Sequence, residues 1–238
     1  MASLLKIPLL LTGTTLVWKS FTPPDTPKSG EKVKVEGIEK VIGRHVLALA
    51  FICKVNYALS CVCEVLLIVA NNAPNSGIAQ RILAILEHKP GGSRNIQITS
   101  HFLTGSAFAV GGAVLRLLCY RIMGKMFTFQ LALRDEHKLV TDGPYSVVRH
   151  PSYTGLILKS IGLMLVHFGP GSWFRECGWL ETAAGRRYYQ YWVVMRALET
   201  INLFGRTVTE DNFLKAQFKE GWVRWAKNTP DRLIPFIF

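Results

Sequence analysis

Val41 to Ala70 and Phe102 to Met123 are two long apolar runs, and they constrain the fold more than anything else in the chain. A helix rises about 1.5 Å per residue, so about 20 apolar residues cross the ~30 Å hydrocarbon layer. Both runs are long enough. Within lipid every backbone N–H and C=O must be satisfied inside the segment, which leaves helix as the structure for such runs. Leu4 to Trp18, Leu156 to Phe168 and Tyr188 to Phe204 read as three further spans. The fourth of the five is short unless its helix begins near Tyr153. The expected fold is all-α, an integral membrane helical bundle of about five transmembrane helices. Gly105, Ala109, Gly112 and Ala113 recur at helical spacing, which lets a second helix approach closely. Lys54, Asn56 and Glu64 in the second span, and Glu199 and Asn202 in the fifth, need partners or a route to the interface.

The connections fit that plan. An early Lys and a short apolar core also suit a signal peptide, but no small-x-small cleavage pattern follows, so Leu4–Trp18 reads as a retained helix. Lys19 to Lys40 is rich in Pro, Lys and Glu and reads as exposed and partly disordered. Asn71 to Arg94 reads as a loop carrying one short amphipathic helix, Ile78 to Leu86. Trp173 to Arg187 reads as a polar connection. Phe213, Leu214, Gln217 and Phe218 suggest an amphipathic tail helix on the membrane surface. The chain divides into N-terminal membrane helices and loops, 1–125, and a second region, 126–238, with two membrane helices and a polar tail.

A net charge of +12 raises the question of nucleic acid. The Lys and Arg residues form no continuous stripe, however, and no zinc-finger or RNP-like pattern occurs, so no nucleic-acid partner is expected. They concentrate instead in three regions: Lys19–Arg44, Arg121–Arg149 and Arg206–Arg232. With five spans these three fall on one side, which the positive-inside rule makes cytosolic. Membrane lipid is the expected surface partner. Of the five cysteines four lie in apolar runs, and the close pair Cys61 and Cys63 lacks metal-site spacing. They read as buried thiols, and no metal site is expected.

Between the third and fourth spans the chain interrupts itself with polar residues of fixed geometry. His137-Lys138-Leu139-Val140-Thr141-Asp142-Gly143-Pro144-Tyr145 is followed by Arg149-His150-Pro151-Ser152-Tyr153-Thr154-Gly155. Asp142-Gly143-Pro144 is a turn signal, and His150 is pushed from helical ψ by the proline after it. Such a stretch builds a site or makes a basic loop against lipid headgroups; composition alone leaves both open.

The stretch resembles the isoprenylcysteine carboxyl methyltransferase family. The resemblance is carried by His137-x-Leu139-Val140-Thr141-x-Gly143-x-Tyr145 with Arg149-His150-Pro151-Ser152-Tyr153-x-Gly155. A second block comprises Arg206-Thr207, Glu210-Asp211, Leu214, Phe218, Trp222, Trp225 and Pro230. It covers about residues 120–238. It implies S-adenosylmethionine as cofactor, and the C-terminal carboxylate of prenylated cysteine in processed CaaX proteins as substrate. It further implies a multi-pass endoplasmic reticulum protein whose active site faces the cytosol. By the resemblance, Gln130, His137, Lys138, Leu139, Val140, Tyr145, His150, Pro151, Ser152, Tyr153 and Glu210 contact the cofactor. Arg206 faces the substrate carboxylate, and Arg206, Arg149 and Glu210 are the catalytic group. Three features depart from the family pattern: Glu-Asp in place of Glu-Glu, Trp222 and Trp225 in place of tyrosines, and an unlike connection over Trp173–Arg187.

The chemistry is undemanding. An α-carboxyl titrates near ~3.5 and is already nucleophilic at neutral pH, so alignment and water exclusion suffice. No G-x-G-x-x-G follows a strand, so the loop and tail must hold the cofactor. Each residue also has a plainer reading. Arg149 can pair with phosphates or the acidic tail, Arg206 can be one more cytosolic cation, and Glu210 can neutralise basic neighbours. Tyr145 and Tyr153 can be interfacial anchors. A phospholipid N-methyltransferase, a sterol reductase and a non-enzymatic membrane adaptor are the competing assignments.

Overall fold

The structure is a computed structural model that describes residues 4–27, 30, 37–130 and 138–238, the side chains of 37–44 excepted. The described residues are helical, with no strand among them. The α-helices are α1 (Lys6–Ser20), α2 (Gly37–Asn71), α3 (Gly77–Leu86), α4 (Ser100–Met123), α5 (Pro151–Phe168), α6 (Trp173–Glu176), α7 (Ala183–Phe218) and α8 (Glu220–Asn228). A helix covers each of the five apolar runs, and α3 occupies the expected amphipathic segment. His45–Asn71 and Ser100–Met126 are long and apolar enough to cross a membrane. Only 22% of the first window is buried, and Phe51, Leu59, Val62 and Val69 lie exposed along it. An apolar surface of that extent is what lipid covers. By contrast α1, with 15 residues, reaches only about 22 Å.

Two expectations about the C-terminal half are corrected. The fifth apolar run and the tail helix are one element: α7 is 36 residues long and passes Phe204 and Gly205 without a break. Gly205 keeps helical geometry and no proline follows it within 206–218, so tertiary contacts carry the helix through residues of modest helix propensity. The Trp173–Arg187 connection is also ordered by more than its composition suggests. Trp173 and Trp179 both donate their indole N–H to the Leu86 carbonyl, each at 2.9 Å.

The described chain divides into two compact units. Met1–Trp18, Lys54–Gly111 and Leu158–Leu198 form the first. Its core gathers Leu10, Cys61, Leu67, Ile68, Ile96, Phe102, Val166 and Cys177. Glu64 finds its partner there. Lys6 Nζ lies 2.6 Å from Glu64 Oε1 with both side chains buried, and also donates to the Gly171 carbonyl at 2.8 Å. Glu64 Oε2 accepts the Trp173 backbone N–H. Here α4 and α5 cross on small residues. A Cβ on Gly162 would stand 2.3 Å from Ala109 N and 2.5 Å from Gly105 O.

Lys19–Cys53, Gly112–Ile157 and Glu199–Phe238 form the second unit. Its core is aromatic and thiol-rich: Cys119, Tyr120, Phe127, Tyr145 and Trp225. All five cysteines are free, and all but Cys63 are buried, as the composition of their runs implies. Burial raises the Cys177 thiol to about 12, which leaves it unreactive near neutral pH.

Candidate active site

The second unit contains a cleft of about 120 Å³, and the polar stretch forms much of its wall. Local geometry explains why. Gly143 takes φ +60, which a Cβ resists, and Pro144 then continues a 3-10 turn over Gly143–Ser146. Tyr145 N–H closes that turn on the Asp142 carbonyl at 3.2 Å. Pro151 occupies the first position of α5, where its missing N–H is harmless and its fixed φ suits the helix. The two breaks read from sequence therefore bracket a short loop that delivers Arg149 and His150 to the start of α5.

His150 is the centre of the ionic network. Its Nε2 lies 3.0 Å from Asp211 Oδ1 and its Nδ1 lies 3.4 Å from Glu210 Oε2. Its ring stacks on Tyr153 with centroids 5.6 Å apart and planes 6° from parallel. Burial disfavours the charged ring, but hydrogen bonds to Asp211 and Glu210 outweigh it and raise the pKa. With a carboxylate at each nitrogen, the imidazolium is the state that satisfies both. Glu210 also receives the Tyr153 hydroxyl on Oε1, where Arg206 Nε donates at 2.9 Å. Burial pushes the Glu210 carboxyl up, while Arg206 and His150 pull it down further, to about 2.

Asp211 accepts more cations than any sequence cue suggests. Arg149 Nε and its terminal nitrogen both reach Oδ2 at 3.2 Å, and Arg232 Nε reaches it at 3.0 Å. Burial acts against the Asp211 carboxylate, yet His150, Arg149 and Arg232 lower its pKa. Arg149 also donates to the carbonyls of Thr229 and Pro230, at 2.8 and 2.6 Å. Its backbone N–H, and that of His150, bond the carbonyls of Asp231 and Arg232. Thus Arg149 fastens the loop to the tail, which is the plainer of its two readings, while its side chain still borders the cleft.

Gln130, Lys138, Leu139, Val140, Tyr145, Arg149, His150, Ser152, Tyr153 and Glu210 all line the one cleft. Pro151 is buried and sets the start of α5 instead. Arg206 is buried beside Glu210 and the Tyr153 ring, outside the lining. His137 lies outside the described residues. The sequence reading missed Met123, Met126, Phe127, Thr128 and Phe213 as lining residues. Apolar residues at helix ends carry no signal that separates a cleft wall from core.

Trp225, which departs from the family pattern, is buried, lines the cleft and donates its indole N–H to the Tyr145 carbonyl at 3.0 Å. The Tyr145 hydroxyl turns to Met123 Sδ at 2.8 Å. Burial, then Cys119 and Glu210, raise that phenol above its ordinary range, so it stays neutral. Trp222 packs beside Arg149, its buried indole N–H having no partner among the described residues.

The lining suits a cationic, partly aromatic cofactor. Glu210 supplies a carboxylate at the cleft wall, and Phe127, Leu139 and Val140 supply an apolar wall for a base. Among the described residues no group of three or more His, Cys, Asp and Glu is arranged to hold a metal ion.

Known proteins point the same way. Residues 105–173 match the model of the isoprenylcysteine carboxyl methyltransferase family. The chain is 27% identical over 136 residues to protein-S-isoprenylcysteine O-methyltransferase B of Arabidopsis thaliana, covering 56% of this chain and 58% of that one. It is 32% identical over 143 residues to the Xenopus laevis protein-S-isoprenylcysteine O-methyltransferase, covering 59% and 43%. Identity to the Homo sapiens protein of that name is 31%, with the same coverage. The chain therefore spans about half the length of the curated relatives it matches. No solved structure matches it. The matched segment begins in α4 and runs through the loop and α5, so it takes in the cleft residues from Met123 to Tyr153, and over it the chain is similar to the isoprenylcysteine carboxyl methyltransferase family.

Proposed function

We propose that this protein transfers a methyl group from S-adenosylmethionine to the C-terminal carboxylate of a prenylated cysteine. The relatives' names supply the reaction, and the charge state of the cleft supplies the physical argument. Every ionisable group at its centre is already committed. His150 has a carboxylate at each nitrogen, and Glu210 is drawn down to about 2 by its neighbours. Neither is available as a base near neutral pH. A carboxylate nucleophile with a pKa near ~3.5 needs none, whereas an amine must lose a proton during transfer. That difference favours O-methylation over phospholipid N-methylation.

The cofactor supplies an electrophilic methyl on a sulfonium. The chain's own residues hold and orient. Glu210, fixed by Arg206, Tyr153 and His150, presents negative charge to the cationic end, and the apolar wall excludes water. Arg206 is the cation assigned to the incoming substrate carboxylate, since its guanidinium can bind bidentately. In this reading α1, α2, α4, α5 and part of α7 span the membrane. Residues 126–238 carry the catalysis, and the Lys and Arg distribution turns the cleft to the cytosolic face of the endoplasmic reticulum membrane.

The test is transfer of labelled methyl from S-adenosylmethionine in membranes offered a farnesylcysteine analogue and phosphatidylethanolamine side by side. Base-stable label on phosphatidylethanolamine would overturn the substrate, and no transfer with no cofactor binding would overturn the reading altogether. Base-labile label on the farnesylcysteine analogue is the expected result.

A further inference from the structure

Arg116 lies in α4 and is 4% exposed. Its guanidinium donates from Nε to the Ser20 carbonyl at 3.3 Å and from one terminal nitrogen to the Tyr120 hydroxyl at 2.9 Å. The other terminal nitrogen donates to the Ser152 carbonyl at 3.0 Å and the Ser152 hydroxyl at 3.1 Å. The rings of Tyr120 and Phe129 cover it at 5.5 and 5.3 Å. All of these partners are neutral. Among the described residues no Asp or Glu forms an ion pair with Arg116. A buried guanidinium normally takes a carboxylate, because neutral acceptors leave its charge uncompensated.

Ser152 connects this charge to the cleft. Its hydroxyl accepts from Arg116, so its own proton must point elsewhere, and among the described residues no acceptor takes it. Ser152 lines the cleft in the first turn of α5, an 18-residue helix whose N-terminal N–H groups carry partial positive charge. Donor proton, helix end and buried cation thus share one sign. The close approach depends on Gly155, where a Cβ would stand 2.7 Å from the Gly112 carbonyl and 3.0 Å from Arg116 Cγ.

We infer that Ser152 and Arg116 form a carboxylate subsite for the amino-acid end of the cofactor. The Ser152 hydroxyl donates to the α-carboxylate, and Arg116 orients and polarises that hydroxyl from behind without touching the ligand. Arg116 is therefore a positioning residue. Glu210 lines the same cleft with the opposite sign, which assigns it the cofactor's ammonium and sulfonium. The inference rests on S-adenosylmethionine being the cofactor.

Calorimetric titration of the detergent-solubilised full chain tests it, with S-adenosylmethionine compared against its decarboxylated analogue. The analogue keeps the sulfonium and the amine and lacks only the carboxylate. Wild type is expected to prefer S-adenosylmethionine by about 10- to 100-fold, the range for a charge-assisted hydrogen bond. Ser152→Ala and Arg116→Met reduce that preference to less than about threefold by weakening S-adenosylmethionine alone, while affinity for the analogue holds. Arg116→Lys keeps part of the preference. The double variant loses no more than either single one, because both act through one contact.

Equal weakening of both ligands, or an unchanged ratio in Ser152→Ala, would overturn the subsite. Ser152→Ala removes one oxygen and decides the matter even where Arg116→Met fails to fold. Binding of neither ligand by wild type overturns the cofactor reading itself. That outcome differs from failure of the subsite, in which wild type binds both ligands equally.

Discussion

At the scale of single residues, the site is an ionic cluster whose members have unequal work. Asp211 holds Arg149, His150 and Arg232 together, and removing its charge strands cations in a buried place. Asp211→Asn is expected to destabilise the protein by about 3–5 kcal/mol, read from denaturant unfolding in detergent. Glu210→Gln keeps the shape but loses the charge, and should weaken S-adenosylmethionine binding at least about tenfold. The cluster also sets a pH window. His150 has a folded-state pKa above the ordinary ~6.5, so its contribution to stability is complete below that pH and is lost as pH rises through the raised value. Glu210 and Asp211 have depressed values, so theirs is complete above the ordinary carboxyl range and is lost as pH falls, for Glu210 toward about 2. A thermal midpoint measured against pH should fall on both sides, and His150→Gln should remove the alkaline fall. The motif makes His150, Tyr153 and Glu210 legible as a group in the sequence alone. Asp211's hub role is not legible there, since a single carboxylate in sequence shows nothing of how many cations converge on it. Arg116 is hidden for a similar reason, as one cation inside an apolar run.

At the scale of elements, small residues and one strained joint decide how helices meet. The glycine spacing in α4 is readable as a packing face, but its partner is not, because Gly162 and Gly155 in α5 are separated from it by the whole polar loop. Gly162→Ala puts a Cβ against the α4 backbone and should cost about 1–3 kcal/mol in unfolding experiments. Gly111→Ala, with nothing within 4 Å of its Cβ, should instead stabilise by up to about 1 kcal/mol. The joint is Lys219, at φ +48 between α7 and α8. A lysine there stores backbone strain of about 1–3 kcal/mol, and α8 is held beyond it by Trp225 and by Arg149 on Thr229. The continuity of α7 through Gly205 is illegible in sequence, because the change from apolar to polar composition imitates a helix end.

At the scale of the whole molecule, apolar length predicts the order of helices, while charge predicts their orientation. Ser76 and Lys227 are both exposed, and the proposed five-span arrangement would put Ser76→Cys and Lys227→Cys on opposite faces of the membrane. In sealed microsomes an impermeant thiol reagent should label Lys227→Cys from the cytosolic side and leave Ser76→Cys unlabelled. The same labelling pattern at both would overturn the five-span arrangement. The buried pair Lys6 and Glu64 shows what the sequence required without naming: a charge in a span needed an opposite charge, and it came from the first helix.

The sharing of Arg149 between the cleft wall and the tail has a further consequence for anyone who screens variants of this protein. The residues that border the reaction are also the rivets of the second unit, so an inactive variant there will often be a scarce one. Chaperones and proteases remove marginal chains, and a loss of about 1–2 kcal/mol changes cellular abundance several-fold. A deep mutational scan scored on growth alone would therefore colour Arg149, Asp211 and Arg232 as catalytic hot spots. Scored in parallel on protein level, the same scan would separate those three from Ser152, whose variants should persist in the membrane and bind the cofactor more weakly.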